Sequence, residues 1–458
     1  MTKAKLTVGP VGKTLKDLTI PMIWGIFAMI TFNMVDTYFV GQLGTLSLAA
    51  MSLTFPVVMV INFLLMGLGI GLSSGVALAI GEGNRHKVQR LTTDGLVLSF
   101  LIVCLCIIIG ICTIEPLFQA IGATKQMLPL IEDYMKIWYL GGVFAIAPLV
   151  GNFAIRATGN SHFPGVIMMI ASVINVVLDP LLIFGYAGFP RMELQGAALA
   201  TIISWSVTFF ASGYVMIFKE HLISLEIPRI KEVIVSWKRI LHVGLPAAGT
   251  NTIIPLSNGI IMSLLASFGK ETIAAFGVSM RIEAFALIVL YAISSIIGPF
   301  VGQNWGAKKY GRVDQGLSLI FKFCMLWGVF LAISLGFGSK FLVEQFDKNE
   351  EVVDIASLYF WIVPISYGLN GITMMVSAVF NSLHKPISAT ILSVTRMFVL
   401  YVPLAYLGKI FWGVNGIFAA YSLANIVVGV IAYRWNAETL KSHSLQMNPK
   451  EEDLAAVR

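Results

Sequence analysis

Two aspartates stand inside otherwise apolar runs, Asp36 in "MITFNMVDTYFVG" and Asp179 in "ASVINVVLDPLLIF", and they are the residues best placed to do chemistry. An acid in hydrocarbon costs roughly 2.5–3.5 kcal/mol on insertion scales, so one that is retained marks a site by default. Asn33 lies three residues before Asp36 and Asn175 four before Asp179, so each acid shares a helix face with an amide. A carboxylate in such a patch can take up and release a proton as its access to water changes. The plainer alternative is that Asp36 caps a helix end or faces headgroups, and that Asp179 is a packing lock held by Asn175.

A second set of charges, Arg281, Glu283, Lys322 and Arg396, also sits well inside apolar runs. Three cations and one acid do not make a cation site, and a buried ion-pair and hydrogen-bond network around Glu283 is expected. The six histidines and four cysteines have neither metal-ligand spacing nor a disulfide framework, so the residues call for no metal and no cofactor. No H-E-x-x-H or G-x-S-x-G motif occurs within a span, which ranks an integral-membrane enzyme last among the readings.

These side chains need a scaffold, and the composition defines it. The 458 residues are 57% hydrophobic and 12% charged, about half the charge of a soluble domain. The net charge of +7 is spread over short loops rather than gathered in one stripe, which excludes a nucleic-acid partner and leaves the lipid bilayer. Apolar runs predict twelve transmembrane helices near 18–40, 47–80, 92–114, 128–151, 164–186, 195–218, 240–266, 272–302, 315–338, 353–380, 387–408 and 413–434. The second and eighth exceed 30 residues and should tilt, bend or project. Period-2 alternation is absent, so no β-barrel is expected. The lysines ahead of the first run mimic a signal peptide, but the run is too long and lacks a cleavage site, so it reads as a retained span.

Of the 31 lysines and arginines, 21 fall on the side of the two termini and six on the other, Lys125, Arg191, Lys270, Lys340, Lys348 and Lys409. The positive-inside rule then puts both termini in the cytoplasm of a multi-pass inner-membrane protein. Asp36 and Asp179 fall within roughly 6–10 Å of the outer ends of spans one and five at ~1.5 Å per residue, which suggests one cavity in the first half.

The chain also repeats itself. Pro21 and Pro246, Asn33 and Asn258, Gly44 and Gly269, Gly81 and Gly306, and Val88 and Val313 each differ by 225, and "RATGNSHFP" aligns with "AVFNSLHKP" at 222. Two six-helix lobes in parallel orientation follow, 1–218 and 240–435, joined by a cytoplasmic linker at 219–239 and followed by a tail at 436–458.

With "PMIWGIFAMITFNMVDTYFVGQLG", "IGEGNRHK", "WGAKKYGR", "RATGNSHFP" and "NVVLDP" in repeat register, the chain resembles the multidrug and toxic compound extrusion (MATE) family over nearly its whole length. The resemblance implies an all-α, V-shaped, two-lobe antiporter. Working as a monomer, it would export amphiphilic, mostly cationic drug-like molecules by alternating access, in exchange for H⁺ or Na⁺. It also implies the DinF-like branch, because the NorM-like branch's acids are missing near Ile254 and Asn370. Asp36 and Asp179 then carry ion coupling, and Asn33, Tyr134, Asn152, Asn175 and Thr201 give polar support. Asp179, Asn175 and Thr201 are the set that Na⁺ would use, although H⁺ is favoured. Pro21, on the helix of Asp36, is implied as a bending point. A lipid or lipid-linked oligosaccharide flippase of the same superfamily is the alternative, and the acidic first lobe argues against it.

Overall fold

The computed structural model describes residues 4–447, which are helical with no strand among them. After a 3-10 turn at Lys5–Thr7, six helices make the first half. They are α1 (Val11–Gly41), α2 (Thr45–Gly81), α3 (Arg85–Ile121), α4 (Leu128–Ala145 and Ala147–Ala157, bent by 41°), α5 (His162–Phe184) and α6 (Glu193–Lys219). The second half comprises α7 (Ile230–Ala266), α8 (Lys270–Ala286, resuming as Ile288–Gly306), α9 (Tyr310–Glu344), α10 (Glu350–Ser382), α11 (386–412) and α12 (414–447).

Among the described residues nine helices are long and apolar enough to cross a membrane, and the bent α4 makes ten. The remaining two expected passes are also present. Thr250, Asn251, Thr252, Ser257 and Asn258 dilute the hydropathy of α7. The 56-residue stretch Pro386–Lys441 holds two passes, because Gly413 takes a non-helical backbone at φ 58°, ψ −135°. Gly408 and Gly416 meet backbone to backbone across that reversal, where a Cβ on Gly408 would stand 2.4 Å from the Gly416 carbonyl oxygen. Only glycine permits so close a return. Helices α2, α3 and α7 have 37 residues each, roughly 55 Å, so they project beyond a ~30 Å hydrocarbon layer.

Contacts divide the chain into two units. The first is Met1–Thr252 with Tyr291–Ala307 and Asn381–Pro386, and the second is Ile253–Leu290, Lys308–Phe380 and Ile387–Arg458. Within the first, α2 is the spine, and its glycines let neighbouring backbones touch it. A Cβ on Gly67 would lie 2.3 Å from the Gly244 carbonyl oxygen, and one on Gly71 2.3 Å from that of Ile240. The contact of α2 with α8 obeys the internal repeat. A Cβ on Gly81 would meet the Gln303 carbonyl oxygen at 2.2 Å, and one on Gly306 would meet that of Leu78 at 2.3 Å. Both pairs are related by the same shift (306 − 81 and 303 − 78 are each 225), so the two contacts are repeat equivalents of each other.

Gln303 also ties the N-terminal turn to the seam. Its side chain accepts the Leu6 N–H at 3.1 Å and donates to the Ala157 carbonyl at 2.7 Å, while Asn304 donates to the Leu6 carbonyl at 3.1 Å. Nearby, Arg90 pairs with Asp94, and both are buried.

Candidate functional site

Helices α1 and α5 run side by side in the same direction and cross where two glycines remove the side chains between them. A Cβ on Gly25 would lie 3.0 Å from Gly165 Cα, and one on Gly165 would lie 2.4 Å from the Pro21 carbonyl oxygen. Pro21 therefore sits at the crossing itself, and α1 continues through it unbroken. Asp36 follows Pro21 by fifteen residues and Asp179 follows Gly165 by fourteen, roughly 21–23 Å along each helix. The two carboxyl groups thus stand at one level, within electrostatic reach of each other and of the buried Tyr134 on α4.

Their bonding is sparse. Asp179 is fully buried (0% exposed), and neither of its oxygens receives a hydrogen bond from the described residues. Asp36 Oδ1 and Asn175 Oδ1 are buried without a partner as well. Buried polar atoms are nearly always satisfied in native proteins, so four unsatisfied oxygens in one place are unusual, and their chemistry suits a proton or a cation. Asp36 and Asp179 have no cation paired with them among the described residues, and a bound proton or hard cation would relieve their repulsion. Asp179 and Asn175 offer three free oxygens of the kind Na⁺ accepts, with Thr201 nearby on α6 as a weaker donor. No group of three or more His, Cys, Asp or Glu suited to a metal occurs among the described residues.

A polar stripe on α6, Thr201, Ser204, Thr208 and Ser212, supports the site from behind. The Asn175 amide donates to Ser204 Oγ at 3.3 Å, and Ser204 donates to the Thr201 carbonyl at 2.9 Å. Ser204 was not among the sequence candidates, although the spacing 201, 204, 208, 212 marks one helix face. Thr201 spends its proton on the Ala197 carbonyl at 3.1 Å, leaving only its oxygen for a neighbour. Asn152 accepts from Ser212 at 3.3 Å, eight residues or about 12 Å along α6 from Ser204. It braces α4 against α6 at a different level from the aspartates. Asn33 is exposed and donates to the Met29 carbonyl at 2.7 Å, since an amide within a helix readily finds the carbonyl one turn back. Its amide is therefore not bonded to Asp36.

In the second unit the expected network is only half present. Glu283 is buried and accepts from Tyr359, and from Tyr421 at 3.4 Å. Arg396 donates to Asn370, and at 3.4 Å to Asn425, which in turn donates to Ser366 at 3.0 Å. Arg281 and Lys322 do not join it. Both are exposed, because the buried faces run through Phe276, Ser279 and Glu283 on α8 and through Phe321, Cys324 and Gly328 on α9, leaving the two cations on the other side. No ion pair forms at Glu283 among the described residues, so the expected ion-pair core is corrected to a hydrogen-bond network in which Arg396 bonds amide oxygens rather than the carboxylate.

Known proteins resemble this chain over most of its length. The MatE family model matches residues 21–181 and 246–407, two copies whose starts, Pro21 and Pro246, are the repeat partners found above. An FAD transporter of Shewanella oneidensis is 38% identical over 428 residues, covering 93% of this chain and 95% of that one. The multidrug export protein MepA of Staphylococcus haemolyticus is 23% identical over 424 residues, covering 92% of each. Among solved structures, the Vibrio cholerae MATE transporter VcmN in the bent form superposes with a TM-score of 0.89 at 31% identity, over 95% of this chain and 98% of that one.

Proposed function

The chain belongs to the MatE family of membrane transporters, and from that premise we propose that it is an antiporter driving organic solutes outward as protons enter through Asp36 and Asp179. The observation that carries this reading is the set of unpartnered buried oxygens on Asp36 and Asp179 at one level of one unit. Protonation removes charge where no counter-charge is present, so it changes which arrangement of α1 and α5 packs best, and cargo that binds one arrangement better is moved by the switch. The same oxygens give Na⁺ a weaker claim, since Thr201 is half-engaged elsewhere.

For cargo, two readings rest on separate observations. The relative at 38% identity is named an FAD transporter, which favours a flavin dinucleotide. Arg281 and Lys322, exposed within α8 and α9, offer positive charge suited to a pyrophosphate. Cationic amphiphiles are the second reading, supported by the acidic pair and by the MepA relatives. Quenching of intrinsic tryptophan fluorescence in the purified protein, titrated with FAD and separately with a cationic dye, separates them. Saturable quenching by FAD that weakens in Arg281→Ala is expected. Quenching by the dye alone would remove the dinucleotide.

The termini are proposed to face the cytoplasm, on the bias of positive charge. A single cysteine at Lys270, whose side chain is 91% exposed, should react with an impermeant thiol reagent applied to intact cells, and one at Lys309 should not. The reverse pattern would invert the topology.

A further inference from the structure

Three acids outside the proposed coupling pair are buried: Asp94 pairs with Arg90 and Glu220 with Lys5, which leaves Glu283 with no paired cation among the described residues. Glu283 is 4% exposed, sits within α8, and belongs to the second unit together with every side chain that faces it. These are Tyr359 and Tyr367 from α10, Arg396 and Tyr401 from α11, and Tyr421 from α12. On α8 itself, Arg281 points away and is exposed.

The choice of partners is informative. A buried acid kept as a structural lock is ordinarily held by a cation or by N–H donors, which can bond the carboxylate but cannot accept from a carboxylic acid. Arg396, the cation within electrostatic reach, does not bond the carboxylate: its Nη1 donates to the amide oxygens of Asn370 and Asn425. Both oxygens of Glu283 bond phenol hydroxyls, Tyr359 on Oε2 and Tyr421 on Oε1. A hydroxyl can donate or accept, so a proton on one carboxyl oxygen reverses the bond at that oxygen while the other oxygen goes on accepting, and neither contact is lost.

Helix irregularities converge on the same group. The first piece of α8 ends at Ala286, three residues after Glu283, where the Leu287 N–H bonds the Glu283 carbonyl at 3.0 Å. Helix α10 tightens to 3-10 geometry at Val363–Ser366, and α11 widens to a π-turn at Thr395–Tyr401 that bears Arg396. The Ser422 hydroxyl on α12 bonds the Ile362 carbonyl at 2.9 Å, just ahead of the 3-10 turn. Backbone that departs from α-helix at membrane depth is tolerated where protein re-satisfies it, and in transporters such breaks gather around ion sites.

We propose that Glu283 is a second proton-binding site, independent of Asp36 and Asp179, whose protonation reverses its hydrogen bond to Tyr421 and so alters the tie between the break in α8 and helix α12. Tyr421 is half-exposed, whereas Tyr359, Tyr367 and Tyr401 are buried, so the proton reaches Glu283 past the Tyr421 hydroxyl.

Infrared difference spectroscopy of the full-length protein in lipid nanodiscs, titrated in pH, tests this through the carboxylic-acid C=O band. The expected result is a titrating band that persists in the Asp36→Asn, Asp179→Asn double variant and is lost in Glu283→Gln. If Glu283→Gln fails to fold, Tyr421→Phe gives the same answer by moving the midpoint of that band without abolishing it. In proteoliposomes, the number of protons exchanged per substrate falls by one in Glu283→Gln. A wild-type spectrum in which every titrating carboxyl vanishes with the two aspartates would overturn the proposal. So would a band unmoved by Tyr421→Phe. Either result would leave the reading of Asp36 and Asp179 standing.

Discussion

Replacing Asp179 with asparagine abolishes movement of substrate against its gradient while the protein remains folded. The amide keeps the volume and fits the same buried position, but it carries no proton and no charge. Since neither carboxylate oxygen has a partner among the described residues, the substitution breaks no hydrogen bond within the site. Stability should change little, and the effect should fall on coupling. Coupling free energies between sites are typically about 1–3 kcal/mol, so the accumulation that coupling sustains, about 5- to 150-fold, is what the variant loses. Downhill exchange of substrate should persist. Transport by purified Asp179→Asn in proteoliposomes, beside its thermal unfolding midpoint, checks both halves of the statement. Asn33→Ala is the contrast: its amide is bonded to Met29 on its own helix, and efflux should stay near the wild-type level.

The second large effect is expected at the seam of α2 and α8. Gly81→Leu and Gly306→Leu each drive a side chain into a carbonyl oxygen about 2 Å from where its Cβ must stand, and backbone cannot yield as a flexible side chain would. Overpacking of this kind costs about 1–3 kcal/mol, which lowers the population of the closed seam by about 5- to 150-fold relative to any state in which the helices part. Because the two contacts are related by the repeat, the two variants should behave alike. Ser74 reports on the result. It is buried on α2, two turns before Gly81, with its hydroxyl bonded to the Asn381 carbonyl at 2.8 Å. A cysteine at Ser74 should react slowly with a soluble thiol reagent in the parent protein and markedly faster beside Gly81→Leu. Equal rates together with normal transport would show that the seam does not part.

Ten passes stand out by length and hydropathy, while α7, diluted by polar residues, and the division at Gly413 are legible only with the charge and glycine punctuation. The 225-residue shift pairs Gly81 with Gly306, whose backbones meet. Counting residues from the helix ends put Asp36 and Asp179 at one depth, because parallel helices with a common rise keep register. Orientation about the helix axis was less legible. Arg281 and Glu283 are two residues apart, which in a helix separates them by more than half a turn of face, so they cannot share one network. The stripe of Thr201, Ser204, Thr208 and Ser212 was readable at spacings of three and four, but it was represented only by Thr201. Proline flags three of the irregular turns: Pro148 and Pro364 lie within those of α4 and α10, and Pro403, two residues past the π-turn of α11, lacks the N–H that would bond the Val399 carbonyl inside it.

The central claim, that protons entering at the Asp36 and Asp179 pair drive export, is tested most directly in Na⁺-free proteoliposomes under an imposed pH gradient, with wild type, Asp36→Asn and Asp179→Asn reconstituted side by side. The wild type should drive substrate against its gradient in proportion to the pH step, and both variants should fail to do so. Transport that ignores the pH gradient and appears only on adding Na⁺ would contradict proton coupling, and pH-driven transport surviving in both variants would place the coupling site elsewhere.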